Sequence, residues 1–328
     1  MKIILIENST KIYDGYSRNN AQLRGAELAL INYSEELAKK KFNVILLNNC
    51  NQENVINGVK YININNLKNK LDCDIAIVNS DANYFKFVNS KKNFLLSHSI
   101  QNLEKFIRHK QLLAFLKYKP VVLCFSNYHF SNRSFFTSLF GKKIIIPSID
   151  DDFFNFNLKT NINKDAIFYS RFDRNGQIVV DMWKRNYRKL YNNNKLYINS
   201  DLIDREQDLA KFNIYKKPYL EKNKLIEFLS NFRLLIVPGH KGEVFCNVAE
   251  EAKALCIPIV TMGIGALSER VRHNFNGFIC NNIDDFENKI FDLMNNDEIY
   301  LTFKNNLYKE RGLNKWKNTV EKLIKLFN

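Results

Sequence analysis

A chain of 328 residues is longer than one hydrophobic core usually grows, so two domains of roughly 150 residues each are expected. With 45% hydrophobic residues but no apolar run of about 18, the composition is that of a globular chain rather than a membrane-spanning or disordered one. The net charge of +15 points to an anionic partner (nucleic acid, a lipid surface or a phosphate-bearing substrate), although part of it reflects a general abundance of Lys and Asn.

In chain order, strands are expected at residues 3–6, 44–47, 74–78, 94–96, 121–125 and 143–146. Helical patterns fall between them, clearest at 25–41 (GAELALINYSEELAKKK) and 102–119. The second half repeats the alternation, with strands at 166–170, 195–199, 234–238, 257–261 and 277–280 and helices at 177–191, 222–230 and 248–255. Such alternation implies βαβ units and parallel sheets with helices on both faces. The stretch 148–164 (SIDDDFFNFNLKTNINK) has turn-type composition and is expected to link the halves. Two α/β domains facing each other would leave a cleft at the carboxyl ends of their strands, where such sheets bind ligands. The six cysteines form no CxxC pair and no Cys/His cluster, so a zinc site is not expected and the thiols read as reduced and intracellular. Met1-Lys2 runs directly into a strand without a leader, which points to the cytoplasm.

The segment 240–277, HKGEVFCNVAEEAKALCIPIVTMGIGALSERVRHNFNG, carries the chemistry. A strand ends at Pro238, a loop follows, and a helix begins near Val248. Glu243 lies on the loop and Glu251 just inside the helix, eight residues on. Between them the helix start offers backbone N–H groups suited to a phosphate. A carboxylate beside them can accept two hydrogen bonds from a ribose diol. The spacing alone equally fits a solvated helix start, where acids are favoured by the helix dipole.

The ordered residues around the two acids resemble the E-x7-E region of the family-4 (group 1) retaining glycosyltransferases. That pattern runs E-G-F-G-x-x-x-x-E-A-x-A-x-G-x-P-V-I, then G-G-x-x-E, then G-x-x-G. Here Glu243 to Val260, Gly265-Ala-Leu-Ser-Glu269 and Asn276-Gly277 follow it in order and spacing, with Val244, Cys246, Cys256 and Ala266 in place of glycines. Upstream, Phe168-Tyr-Ser-Arg171-Phe-Asp-Arg174-Asn-Gly176 is similar to the family's G-R-L-x-x-x-K-G, one residue shorter. Arg24-Gly25-Ala26-Glu27 is similar to its G-G-A-E, Ile146-Pro-Ser-Ile-Asp150 to its junction motif, and Leu313-Asn-Lys-Trp316 to the F-S-W before a returning last helix.

The resemblance implies a GT-B fold: two Rossmann-like parallel-sheet domains facing across a cleft, with the C-terminal helix returning to the first. The implied boundaries are 1–152 for the acceptor domain, 153–310 for the nucleotide-sugar domain and 311–328 for the last helix. It further implies retaining transfer of a hexose-type sugar from a nucleoside-diphosphate sugar to an acceptor such as a lipopolysaccharide core or another cell-envelope glycolipid. No Asp-x-Asp motif follows a strand, since Asp150-Asp-Asp152 lies in the expected linker, so no metal or other cofactor is expected. Glu251 would hold the ribose, Glu243 the sugar hydroxyls, and the backbone of Phe245, Cys246, Asn247 and Val248 the diphosphate. Arg171 and Arg174 would stabilise the leaving group, with His240 nearby. His98, after the strand at 94–96, would face the donor sugar, and Gly25 and Glu27 would lie on the acceptor side.

The stretch from Leu103 to Lys119 (LEKFIRHKQLLAFLKYK) reads as one basic amphipathic helix, which either packs ordinarily or lies on an anionic membrane from the cytoplasmic side. A nucleic-acid-binding protein is the rival from another class, but no binding motif or aromatic stacking platform supports it. An inactive GT-B scaffold, an inverting transferase and a sugar-nucleotide epimerase are the remaining alternatives.

Overall fold

The computed structural model describes residues 1–19, 23, 25–159, 163–190, 194–199, 209–217 and 220–327. Arg24, residues 160–162 of the expected linker and Tyr191 at the end of an expected helix lie outside them. The chain forms two units, Met1–Asp150 with Asn314–Asn328, and Asp151–Leu313.

In the first unit, β1 (Lys2–Ile6), β2 (Asn43–Asn48), β3 (Asn54–Ile56), β4 (Val59–Asn63), β5 (Leu71–Asn79), β6 (Val88–Leu96), β7 (Val121–Cys124) and β8 (Lys142–Ile144) form one sheet in the order β3-β4-β2-β1-β5-β6-β7-β8. All neighbours are parallel except β3 and β4. Ile3 to Ile6 are fully buried, as a strand covered on both faces of a parallel sheet must be. The β3–β4 hairpin is absent from the sequence expectation. Its turn, Asn57-Gly58, has φ of 51° and 79°, the double left-handed geometry of a type I′ turn.

Helix α1 (Gly25–Lys39) matches its pattern, and the last helix of the chain (Trp316–Ile324) belongs to this unit. Trp316 meets Tyr33 edge-on at 4.8 Å, and Thr319 Oγ1 donates to Ile146 O at 2.9 Å.

The single helix expected over 102–119 is two, α2 (Leu103–Arg108) and α3 (Leu112–Tyr118). Phe106 and Phe115, nine residues apart, would point to opposite sides of a continuous helix with about 3.6 residues per turn. Between the two helices Lys110 turns left-handed at φ 54° and buried Gln111 accepts from Ala82 N at 3.3 Å. Both rings then enter one core, edge to face at 5.1 Å. Helix α4 (Asn127–Asn132) follows β7, capped by Ser126 Oγ on His129 N.

In the second unit, β9 (Ala166–Phe168), β10 (Leu196–Ile198), β11 (Ile214–Lys216), β12 (Leu234–Ile236), β13 (Ile259–Thr261) and β14 (Gly277–Ile279) form an all-parallel sheet in the order β11-β10-β9-β12-β13-β14. Its described helices are α5 (Asp151–Asn155), α6 (Gly176–Leu190), α7 (Lys222–Leu229), α8 (Asn247–Ala254), α9 (Leu267–Arg270), α10 (Ile283–Asn295) and α11 (Asp297–Glu310); the last helix of the first unit, residues 316–324, is α12.

The turn-like stretch 148–164 is not a free linker along its length. Asp151 and Asp152 open α5, where acids suit the helix dipole, and Phe153 is buried. Arg311 Nη2 donates to Phe153 O and Phe156 O at 2.9 and 2.6 Å. Among the described residues, no helix is long and apolar enough to cross a membrane.

Candidate active site

The strand order of the second unit reverses between β9 and β12, and the loops leaving their carboxyl ends meet at that point. Asn175, at φ 66°, donates from Nδ2 to Gly239 O at 2.6 Å. Arg174 Nη1 lies 2.6 Å from His240 Nδ1, which also faces Gly242 N at 2.9 Å. Guanidinium and backbone N–H groups only donate, so Nδ1 accepts and His240 carries its hydrogen on Nε2. A Cβ on Gly242 would sit 3.0 Å from Arg174 Nη1, which places this cation against the loop one residue before Glu243.

A third loop, after β13, closes on the same region. Gly265 has φ 75°, and a side chain there would lie 2.5 Å from His240 O and 2.9 Å from Glu243 O. Glu243 is fixed through its backbone at both ends, its N–H to His240 O and its carbonyl to Ala266 N, each 2.9 Å. Its side chain is half-buried.

Helix α8 starts from Cys246 at φ 69° and ψ 79°, with no side-chain cap. The early N–H groups that helices usually give to a Ser, Thr or Asp therefore receive no such oxygen. Beside this start Phe245 is buried, with the Arg270 guanidinium 5.0 Å from its ring centroid. Glu250 is engaged by Arg270 at 3.6 Å and Lys253 at 3.0 Å, so the first-turn acid is structural. Glu251, one residue on, is half-buried, while Asn247 is exposed and Val248 half-buried. The Cys246 thiol is buried and pushed well above its ordinary pKa, so it stays neutral and is no nucleophile.

Arg171 lies on the same loop as Arg174. Its side chain is 72% exposed and grips Asp173, Nε donating to Oδ1 at 3.0 Å and Nη2 pairing with Oδ2.

The second unit thus brings Arg174, His240, Glu243, Phe245, Cys246, Asn247, Val248 and Glu251 into one assembly of loops and helix start. His98, Gly25 and Glu27 belong to the first unit. His98 is half-buried after β6, edge-on to Phe125 at 4.8 Å, and desolvation pushes its pKa down to about 4, so it is neutral near pH 7. Glu27 is buried in the first turn of α1 and accepts from Ser9 Oγ at 3.0 Å.

Sequence reading missed an acid at the matching reversal of the first sheet, between β1 and β5. Glu7 accepts from Asn79 Nδ2 at 2.6 Å and from Tyr13 OH at 2.5 Å, and burial raises its pKa. The signal was an acid ending a wholly apolar strand, IILIE. Asn175, Asp173 and Arg270 were also missed; for Asn175 the Asn-Gly dipeptide was the cue.

Residues 156–310 match the family described as glycosyl transferases group 1. An uncharacterized glycosyltransferase of Methanocaldococcus jannaschii is 28% identical over 120 residues, 36% of this chain and 33% of that protein, so the match spans about a third of the relative's length. Among solved structures, WaaG, a glycosyltransferase involved in lipopolysaccharide biosynthesis, superposes with a TM-score of 0.69 at 11% identity over 100% of both chains. Anabaena HepE in complex with UDP-glucose gives 0.69 at 15% identity, covering 99% of this chain and 98% of that one. These likenesses are of fold, and the fold is GT-B, built on two Rossmann-like parallel-sheet units.

Proposed function

Residues 156–310 belong to the group 1 glycosyl transferases, and from that premise we propose that the chain moves a hexose-type sugar from a nucleoside-diphosphate sugar to a hydroxyl of a glycan or glycolipid, with retention at the anomeric carbon. The observation that carries this reading is the uncapped start of α8 at left-handed Cys246, with Glu243 on its approach loop and Arg174 held beside Gly242. A diphosphate satisfies such a helix start, and its charge suits both the dipole and the cations.

In this reading the N–H groups of Phe245, Cys246, Asn247 and Val248 receive the diphosphate, and Glu251 accepts from the ribose diol. Glu243 binds sugar hydroxyls, and Arg174 and Arg171 stabilise the departing nucleoside diphosphate as charge develops on it. Arg171 must exchange Asp173 for phosphate. His240, with Nδ1 occupied, presents Nε2–H as a donor. Neutral His98 serves as a hydrogen-bonding group for the donor sugar, and Gly25 and Glu27 flank the acceptor. Since the cations and helix start supply the positive charge, the transfer needs no metal, and EDTA should leave the rate unchanged.

A glycolipid acceptor of the envelope is favoured by the likeness to WaaG, and a uridine donor by the UDP-glucose held by HepE. The test is a thermal-shift panel of UDP, GDP, ADP and their sugars, because a ligand bound only by the folded state raises stability. One nucleotide should stand out, and Glu251→Ala should abolish its shift; a flat panel would refute the donor site.

A further inference from the structure

Arg133 is a buried cation whose partners, among the described residues, are all neutral oxygens. It caps the C-terminal end of α4, its backbone N–H donating to His129 O at 3.1 Å. Burial lowers its pKa to about 10, so the guanidinium stays charged near pH 7. Burying a charge without a counter-ion is costly, and a neutral side chain would avoid that cost. What the guanidinium offers in return is shape, a flat fork with donors on three sides.

All three nitrogens of the fork are engaged. Nη1 donates to Ser97 Oγ, Nη2 to Gln101 Oε1 at 3.1 Å, and Nε and Nη2 to Thr137 O at 3.2 and 3.0 Å. Thr137 Oγ1 donates in turn to Gln101 O at 3.1 Å, and Ser97 Oγ to Ser99 O at 3.0 Å. Ser97 and Gln101 are the two ends of the loop that leaves β6, and His98 lies between them. One guanidinium thus spans that loop at both ends.

The ring that faces His98 is held from the same helix. Phe125, edge-on to His98 at 4.8 Å, donates its N–H to His129 Nδ1 at 3.2 Å, and His129 sits one turn before Arg133. His98 Nε2 is shielded and has no hydrogen-bond partner among the described residues. Shielded polar atoms without a partner are rare in folded proteins. Around this one, the hydrogen bonds of the loop and of Phe125 orient the imidazole and leave its Nε2 unsatisfied.

We infer that Arg133 is a positioning residue of the donor-sugar site: by clamping Ser97 and Gln101 it fixes the His98 imidazole with Nε2 left for substrate. This deepens the proposed function and rests on the role given there to His98, yet the clamp itself is read without any substrate.

The full chain is prepared with isotope-labelled histidine, and its imidazole resonances are followed from about pH 7.5 to about pH 5, with His98→Gln and His129→Gln assigning the two rings. In the parent neither ring is expected to titrate in that window. In Arg133→Lys and Arg133→Met the loop loses its bridge and His98 gains water, so its midpoint should rise into the window toward the ordinary value of about 6.5. Lysine keeps the charge but cannot reach both loop ends. Titration of His98 in the Met variant alone would therefore assign the effect to charge and overturn the inference, as would a silent His98 in both. Should either variant fail to fold, Ser97→Ala removes one anchor and leaves the cation, and a silent His98 there is equally decisive against the clamp.

Calorimetry with UDP and UDP-glucose reads the consequence for binding. In Arg133→Lys the UDP affinity should match the parent within about twofold, while UDP-glucose weakens about tenfold, as in His98→Ala, with no further loss in the double variant. Equal weakening of both ligands would make Arg133 a general structural residue and overturn the inference. A parent that binds neither ligand while His98 responds as expected would uphold the clamp and sink the donor reading instead.

Discussion

Arg174 Nη1 stands 2.6 Å from His240 Nδ1, and this contact, with Asn175 Nδ2 on Gly239 O, fastens the loop after β9 to the loop after β12. The cation is thereby held beside Gly242, one residue from Glu243. Arg174→Ala should lower kcat with the preferred donor about a hundredfold, the scale of losing one preorganised group that stabilises developing charge. His240→Ala keeps the cation but not its orientation, so a loss of about tenfold is expected. Steady-state kinetics of both variants and the double variant provide the check. Because the two residues act as a unit, the double loss should fall short of the product of the single losses; full additivity would contradict the coupling.

In the proposed function Asp173, which pairs with Arg171, competes with phosphate for it. The pair is exposed, a class worth roughly 0.2–1 kcal/mol, so Asp173→Asn should tighten nucleoside-diphosphate binding by about 1.5- to 5-fold. Titration calorimetry at low salt reads this directly, and the gain should vanish in the Asp173→Asn/Arg171→Ala background. Weaker binding by Asp173→Asn would mean that the carboxylate positions Arg171 rather than occupying it.

The second unit was legible in sequence because its strands are short apolar runs at carboxyl ends that carry chemistry: Leu234 to Pro238 led directly to the loop of Glu243. The contacts between loops were not legible. Nothing in the spacing of Arg174 and His240, 66 residues apart, says that they touch. Arg171 reads as a phosphate ligand by position, and its grip on Asp173 emerges only from side-chain geometry. In the first unit the β3–β4 hairpin was passed over although Asn57-Gly58 signalled it, because strands of three and five residues show too little alternation. The helical pattern over 102–119 misled for a different reason: hydrophobic periodicity records which residues are apolar, and Gln111 with left-handed Lys110 broke the helix so that Phe106 and Phe115 could share one core.

Two of the four positions where family glycines are replaced keep a glycine-like backbone: Cys246 at φ 69° and Cys256 at φ 56°. A left-handed non-glycine residue costs roughly 1–2 kcal/mol, and a β-branched one more. Cys246→Gly relieves that strain but loses a buried thiol and gains unfolded-state entropy, so its stability should stay within about 1 kcal/mol of the parent. Cys246→Val should cost about 2–3 kcal/mol and weaken nucleotide binding, since the helix start must shift. Urea unfolding ranks the two. The opposite ranking would show that packing of the thiol, not the backbone, governs this position.

Burial lowers His98 to about 4 and His129 to about 3, against an ordinary value near 6.5. Each is neutral in the folded chain and protonates more readily unfolded. Between pH 6.5 and 4 the unfolded chain therefore binds more protons, so stability is fully present above pH 6.5 and is lost as pH falls through that window. For half-buried His98 the shift corresponds to at most about 3 kcal/mol on an order-of-magnitude scale. Urea midpoints measured from pH 7.5 to 4 should decline below pH 6.5. In His98→Gln, which cannot titrate, the decline should be shallower even though the variant starts from a lower stability. An identical slope in parent and variant would mean that His98 is protonated in the folded protein, contrary to the role proposed for it as a neutral hydrogen-bonding group.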